Sequence, residues 1–222
     1  MTLDLSLYLV TDTGLCGQRG VPETVREAVA GGVSVVQLRD HALDDRAFVA
    51  LGQAVRAELD ALHRAGGPRA PLIVDDRVHL VSEIGADGAH VGQADLPVPQ
   101  ARELLGPHGI LGLSVTHAGQ LEVAREHGRA VDYLGLGPVW ATATKPGHAA
   151  PFGPEGLAEL AAASPWPTVA IGGIDAAGAA TLRGTGVAGI AVVSAICGQP
   201  SPREAAVTLR QVWAGSAQGV SA

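Results

Sequence analysis

The segment Ile84-Gly85-Ala86-Asp87-Gly88-Ala89-His90-Val91-Gly92-Gln93-Ala94-Asp95 passes from the end of a helix through a short apolar run into a polar turn. Gly85 stands where helices commonly stop in a left-handed turn, and the run 88–91 has the length and continuity of a strand buried on both faces. The same order is repeated elsewhere. Ala30-Gly31-Gly32 precedes Val33, and Arg183-Gly184-Thr185-Gly186 precedes Val187, so other helices also end in glycine before the chain re-enters a sheet. Apolar runs of this kind fall at 5–10, 33–38, 71–74, 88–91, 110–113, 133–136, 168–171 and 189–193. Segments with helical spacing lie at 22–30, 44–64, 78–84, 99–105, 118–127, 155–163, 177–183 and 202–213. Eight strand–helix units without a linker or a break in composition predict an α/β fold, a (β/α)8 TIM barrel forming a single domain over 1–222, since closure removes both sheet edges. A doubly wound open sheet is the alternative, but no GxGxxG follows the first strand. The tail from about 215 to 222 is expected to be flexible.

Composition excludes several classes of function. The 222 residues carry 15 Lys+Arg against 22 Asp+Glu, a formal charge of −7 that is opposite to what a nucleic-acid surface needs. With 47% hydrophobic and 17% charged residues the chain is too apolar to be disordered. Its most apolar stretch, 187–197, is interrupted by Gly189 and Ser194 and is shorter than the roughly 18 residues of a bilayer helix. The opening Met-Thr-Leu-Asp lacks the basic and apolar regions of a secretory signal. Cys16 and Cys197 form no CxxC or zinc spacing and are expected to be free thiols. A cytoplasmic protein with neither nucleic acid nor membrane as partner is the expectation; homo-oligomerisation stays open.

In such a barrel the reactive groups gather at the carboxyl ends of the strands. Polar residues follow the apolar runs in order: Thr11-Asp12, then Gln37-Leu38-Arg39-Asp40-His41, Asp75-Asp76-Arg77, Gly92-Gln93-Ala94-Asp95, and Ser114-Val115-Thr116-His117. Asp76 and Asp95 follow neighbouring strands, about 5 Å apart, and their carboxylates suit a shared Mg²⁺, which takes one or two carboxylates and leaves other positions to water and phosphate oxygens. Cationic Arg39 and Lys145 lie on the same predicted face. The alternative is that Asp76 pairs with Arg77 or caps a helix, and that Asp95 caps the turn before Pro97. Gly172, Gly173, Val193 and Ser194 follow the last two strands, where barrels often bind phosphate through backbone N–H groups; a tight turn with Ser194 as a cap is equally compatible. The loop from Gly137 to about Pro154 exceeds the roughly 2 to 6 residues usual in α/β units. Its Thr142, Thr144 and Lys145, followed by Gly147, suit a mobile lid over anionic groups, or else a solvated loop. His41, His90 and His117 lie near strand ends without HxH or HExxH spacing, which argues against catalytic zinc.

Tyr8-Leu9-Val10-Thr11-Asp12, Gln37-Leu38-Arg39, Asp75-Asp76-Arg77, the run 85–97, Gly137-Pro138-Val139-Trp140, Thr142-Ala143-Thr144-Lys145 and Ala170-Ile171-Gly172-Gly173-Ile174 resemble the thiamine phosphate synthase family in order and spacing, over nearly the whole chain. The resemblance implies a Mg²⁺-dependent transferase joining hydroxymethylpyrimidine diphosphate to a thiazole phosphate, plain or carboxylated, with release of diphosphate. It implies that Gln37 and Arg39 hold the pyrimidine diphosphate, with His41 and Asp75 beside them. Asp76 and Asp95 would hold the metal, Ser114 and Lys145 the diphosphate, and Thr142, Thr144, Gly173, Val193 and Ser194 the thiazole phosphate. Arg39, Ser114 and Lys145 would be the catalytic groups. Two positions depart from the family pattern. His41 replaces a lysine and Asp75 an asparagine, which leaves the diphosphate clamp less positive. A thiazole tautomerase of the same fold, or a non-catalytic sensor of thiazole or thiamine phosphate, are the other readings.

Overall fold

Successive residues of a strand face opposite sides of a sheet, and in a closed barrel those sides are a narrow interior and a helix-covered exterior. The computed structural model describes residues 3–142 and 149–215. Among them, eight strands run parallel: β1 (Leu7–Val10), β2 (Val35–Leu38), β3 (Leu72–Asp75), β4 (Gly88–Val91), β5 (Ile110–Val115), β6 (Tyr133–Leu136), β7 (Thr168–Ile171) and β8 (Gly189–Val192). They pair in sequence order, and β1 closes on β8 with Leu7 opposite Ile190. The doubly wound alternative is thereby excluded.

The alternation separates two apolar layers. Leu7, Leu9, Val36, Leu38, Leu72, Val74, Leu134 and Leu136 pack outward in one large core with the helices, whereas Tyr8, Val10, Val35, Ile73, Tyr133, Val169 and Ala191 fill the interior. The covering helices are α2 (Val21–Ala30), α3 (Asp45–Arg64), α4 (Val81–Ile84), α5 (Val98–Leu105), α6 (Ala118–Arg125), α7 (Gly153–Ala163), α8 (Ala176–Thr181) and α10 (Pro202–Ala214). Two four-residue helices, α1 (Thr13–Cys16) after β1 and α9 (Ser194–Cys197) after β8, depart from the sequence expectation. α3 begins where Asp44 accepts a 2.8 Å hydrogen bond from Ala47 N, and α4 ends at Gly85 with left-handed backbone.

Several strand boundaries shift from the apolar pattern. β1 and β2 start two residues after Leu5 and Val33, which are buried before the ladder begins. β5 continues to Val115, so Ser114 lies within the strand opposite Gly135, not after it. β3 likewise takes in Asp75, opposite His90. The interior is tightest around β5. A Cβ on Gly112 would stand 2.3 Å from His90 Nδ1 and 2.3 Å from Tyr133 Cζ, so only glycine fits beside those two rings. No helix among the described residues is long and apolar enough to cross a membrane.

Candidate active site

Carried to the carboxyl end of the strands, the inward series reaches polar residues: Gln37 on β2, Asp75 on β3, His90 on β4 and Ser114 on β5. Arg39 follows Gln37 by two and is fixed from both ends. Its backbone N–H donates to the buried Thr11 hydroxyl at 3.0 Å, and its Nε lies 3.4 Å from Asp75 Oδ2. His41, half exposed, bridges the next two carboxylates, with Nε2 3.7 Å from Asp75 and Nδ1 3.6 Å from Asp76. Among the described residues, His41, Asp75 and Asp76 are the one group of three whose ligand atoms all lie within 4.8 Å of one another in a manner that could hold a metal ion.

Asp76 leaves β3 with φ 49°, the only non-glycine residue in the left-handed region among those described. The turn is pinned by Asp76 N donating to His90 O at 2.9 Å and Val78 N donating to Asp76 O at 2.9 Å. Partial burial first, and the Asp95 carboxylate second, hold the Asp76 carboxyl above its ordinary range, while His41, Arg77 and Arg39 pull it down. Asp95, which follows the neighbouring strand, thus disfavours the charged form of Asp76. The oxygen donors of Asp75 and Asp76, with the His41 imidazole at their side, fit a hard divalent cation. Asp95 also closes its own turn, accepting from Gly92 N at 2.6 Å, so the capping role and the site position coincide. The pairing of Asp76 with Arg77 is not what forms. Arg77 turns away to α3, where it meets Asp45 at 3.0 Å, donates to Leu43 O at 2.7 Å and lies 4.6 Å over the Phe48 ring. It clamps the β2–α3 loop that carries His41.

The opposite half of the rim is backbone. Gly172 and Gly173 have φ 104° and 68°, and the turn packs on the segment after β6, with Trp140 N donating to Gly172 O at 3.1 Å. A Cβ on Gly173 would approach Ala141 O to 2.7 Å, so a side chain there is excluded by both conformation and space. Val193 occupies the N-cap position of α9 and accepts from Cys197 N at 2.9 Å; Ser194, the first helical residue, is exposed and is not the cap. Thr142 is half-buried at the end of the described part of the β6 loop. Cys16 and Cys197 are free and buried behind this rim.

Beneath the rim a line of buried polar side chains crosses the barrel. Gln37 Nε2 donates to Tyr8 Oη at 3.0 Å, the Tyr8 and Tyr133 hydroxyls are 2.7 Å apart, Tyr133 Oη lies 3.0 Å from His90 Nδ1, and His90 Nε2 lies 2.9 Å from Ser114 Oγ. Gln93 Nε2, from the β4 loop, donates to Ser114 O at 2.7 Å.

The thiamine monophosphate synthase family model matches residues 7–196, from the first residue of β1 into α9. The chain belongs to the thiamine monophosphate synthase family. Relatives named thiamine-phosphate synthase include one from Psychrobacter sp., 49% identical over 92% of this chain and 93% of its own, and one from Laribacter hongkongensis, 49% identical over 96% and 95%. A solved thiamine phosphate pyrophosphorylase from Pyrococcus furiosus superposes with a TM-score of 0.83 at 34% identity, covering 96% of this chain and 98% of that one. As a member of a synthase family the chain is an enzyme of the transferase class.

On this thiamine monophosphate synthase scaffold the residues expected from sequence fall in two groups. Gln37, Arg39, His41, Asp75, Asp76, Asp95 and Ser114 gather around the ends of β2 to β5, and Thr142, Gly173, Val193 and Ser194 border the ends of β6 to β8. Thr144, Lys145 and the lid expected around them lie outside the described residues. What sequence reasoning missed is the polar line below. Its signal was present: the chain's two tyrosines, Tyr8 and Tyr133, each sit in a buried strand, where a phenol needs a partner.

Proposed function

We propose that this member of the family joins hydroxymethylpyrimidine diphosphate to a thiazole phosphate, giving thiamine phosphate and diphosphate, with Mg²⁺ as cofactor and in the cytoplasm. The observation that supports the reading is that the Asp95 carboxylate acts on Asp76, which lies beside His41 and next to the Arg39–Asp75 ion pair: acidic donors with a guanidinium at hand suit a metal-bound diphosphate. Asp76 and Asp95 would hold Mg²⁺, whose chemistry when bound is to neutralise charge on diphosphate oxygens.

The remaining work falls to the chain itself. The electron-rich aminopyrimidine stabilises the cation left when diphosphate departs, so no covalent nucleophile is needed, only alignment and electrostatic complementarity. Gln37 would orient the pyrimidine, Arg39 would hold its diphosphate, and Ser114 and Lys145 would donate to the departing oxygens. Gly173, Val193, Ser194, Thr142 and Thr144 would seat the thiazole phosphate, so that its nitrogen attacks before water does. Asp75 would keep Arg39 aimed and His41 folded back over the acidic pair. Diphosphate release measured with both substrates tests the reading: release that requires both substrates and Mg²⁺ is expected. Saturable binding without turnover would mark a sensor, and conversion of the thiazole without diphosphate release a tautomerase.

A further inference from the structure

The middle of the polar line, Tyr8, Tyr133 and His90, has no part in the reaction as proposed, yet the interior is shaped to contain it. Tyr8, Tyr133 and His90 are 1%, 0% and 8% exposed. Gly112 leaves room for the His90 and Tyr133 rings, and a Cβ on Gly135 would come within 3.1 Å of His90 Cε1. Burial holds both phenols well above their ordinary ionisation range, so each carries one hydrogen at neutral pH. The line joins β2 to β5, and its two ends, Gln37 and Ser114, are the residues assigned above to the base and to the phosphates.

Counting hydrogens gives the line a direction. Each phenol has one O–H, a neutral imidazole one N–H, and Gln37 can turn either its NH₂ or its carbonyl inward. With the NH₂ inward, Tyr8 donates to Tyr133, Tyr133 to His90 Nδ1, and His90 Nε2–H to Ser114 Oγ. Gln37 then offers its carbonyl toward the ligand, and Ser114 offers its O–H. With the carbonyl inward every link reverses: Ser114 donates to His90, and Gln37 offers NH₂. A mixed arrangement puts two hydrogens into one buried link or leaves one link with none, a mismatch of the kind that costs a buried polar group its partner.

We infer that this relay makes Gln37 and Ser114 read the substrate jointly: a phosphate oxygen at Ser114, which can only accept, sets the direction in which Gln37 presents its carbonyl and so selects a heterocycle bearing an amino group over one bearing a carbonyl at that edge. Tyr8, Tyr133 and His90 are positioning residues in this scheme, acting through the two end groups. The inference rests on the proposed binding of an aminopyrimidine diphosphate between those ends.

The test compares wild type with Tyr133→Phe and Tyr8→Phe on the aminopyrimidine diphosphate and on its analogue with the amino group replaced by a carbonyl. In the folded variants the ratio of kcat/KM for amino over carbonyl substrate should fall by about tenfold or more, the reach of one buried hydrogen-bond mismatch. A purely structural role would lower both values together and leave the ratio in place, which would overturn the inference. The ¹⁵N resonances of His90 give a second readout in wild type. With inorganic diphosphate and Mg²⁺ the Nε2–H tautomer should dominate, and a dominant Nδ1–H tautomer would overturn the relay even if neither variant folds. Failure of the functional reading looks different: wild type would release no diphosphate from the amino substrate.

Discussion

Asp76 concentrates two costs in one residue. Its φ of 49° is a conformation that aspartate tolerates better than most side chains but that still costs on the order of 1 kcal/mol, and its carboxylate is partly buried facing Asp95. A raised folded-state pKa means that the charged form disfavours folding. The penalty is present above the folded pKa and disappears as pH falls below the ordinary carboxyl value of 3.8. Asp76→Asn keeps the backbone tolerance and removes the charge. At neutral pH without Mg²⁺ the variant is expected to melt at or above wild type, with the difference vanishing in acid, while its Mg²⁺ affinity drops at least about tenfold because ligand charge sets affinity at such sites. Thermal melts across pH, with and without Mg²⁺, read both effects; a variant that melts lower yet keeps its Mg²⁺ response contradicts the assignment. Asp76 and Asp95 could be singled out in sequence because each lies in the polar turn that follows an apolar run, two positions after 74 and four after 91. The bridging by His41 was not, since it depends on how the 40–44 loop folds back under Arg77.

At the level of elements, the β7–α8 turn and the segment after β6 form one unit. Gly173 permits their contact, and an added methyl must displace Ala141 O or Trp140, whose Cβ would be 2.9 Å away. Gly173→Ala is therefore expected to raise KM for the thiazole phosphate at least about tenfold through lost alignment, with a smaller effect on the pyrimidine diphosphate. Steady-state kinetics with each substrate varied in turn decides this, and equal changes in both KM values would count against separate phosphate seats. A structural control lies at α3, where Asp44→Ala removes the cap on Ala47 N and should cost about 1 kcal/mol, or roughly 2–4 °C in Tm for a domain of this size. Most strands and helices were readable because their periods differ. α1 and α9 were not, since four residues complete little more than one turn and leave no periodic trace. The true end of β5 was hidden for another reason: Ser114 is polar because it faces the interior site, not because the strand has ended.

For the whole molecule, closure followed from eight repeated units, whereas the line from Gln37 to Ser114 left only a partial signal, two buried phenols in need of partners, because Tyr8 and Tyr133 are 125 positions apart and apolar runs do not announce which residue faces inward. Global charge adds a constraint that the rim must overcome. The chain carries a formal −7 and is asked to bind substrates that are themselves anions, so long-range electrostatics opposes their approach and local cations must reverse it. Among the described residues the local supply is thin, because Arg39 is already paired with Asp75, and His41 stands between two carboxylates. Mg²⁺ and diphosphate should therefore bind as a thermodynamic pair. At a hundred times its Kd in the presence of Mg²⁺, inorganic diphosphate should stabilise the fold by about 2.7 kcal/mol, roughly 5 to 10 °C in Tm. With Mg²⁺ removed by EDTA the same diphosphate meets two uncompensated carboxylates, and the shift should fall below about 1 °C. Differential scanning calorimetry over the four combinations measures the coupling directly. Equal shifts with and without the metal would mean that Asp76 and Asp95 do not share a cation with the diphosphate, and the acidic pair would then be only a strained turn at the barrel rim.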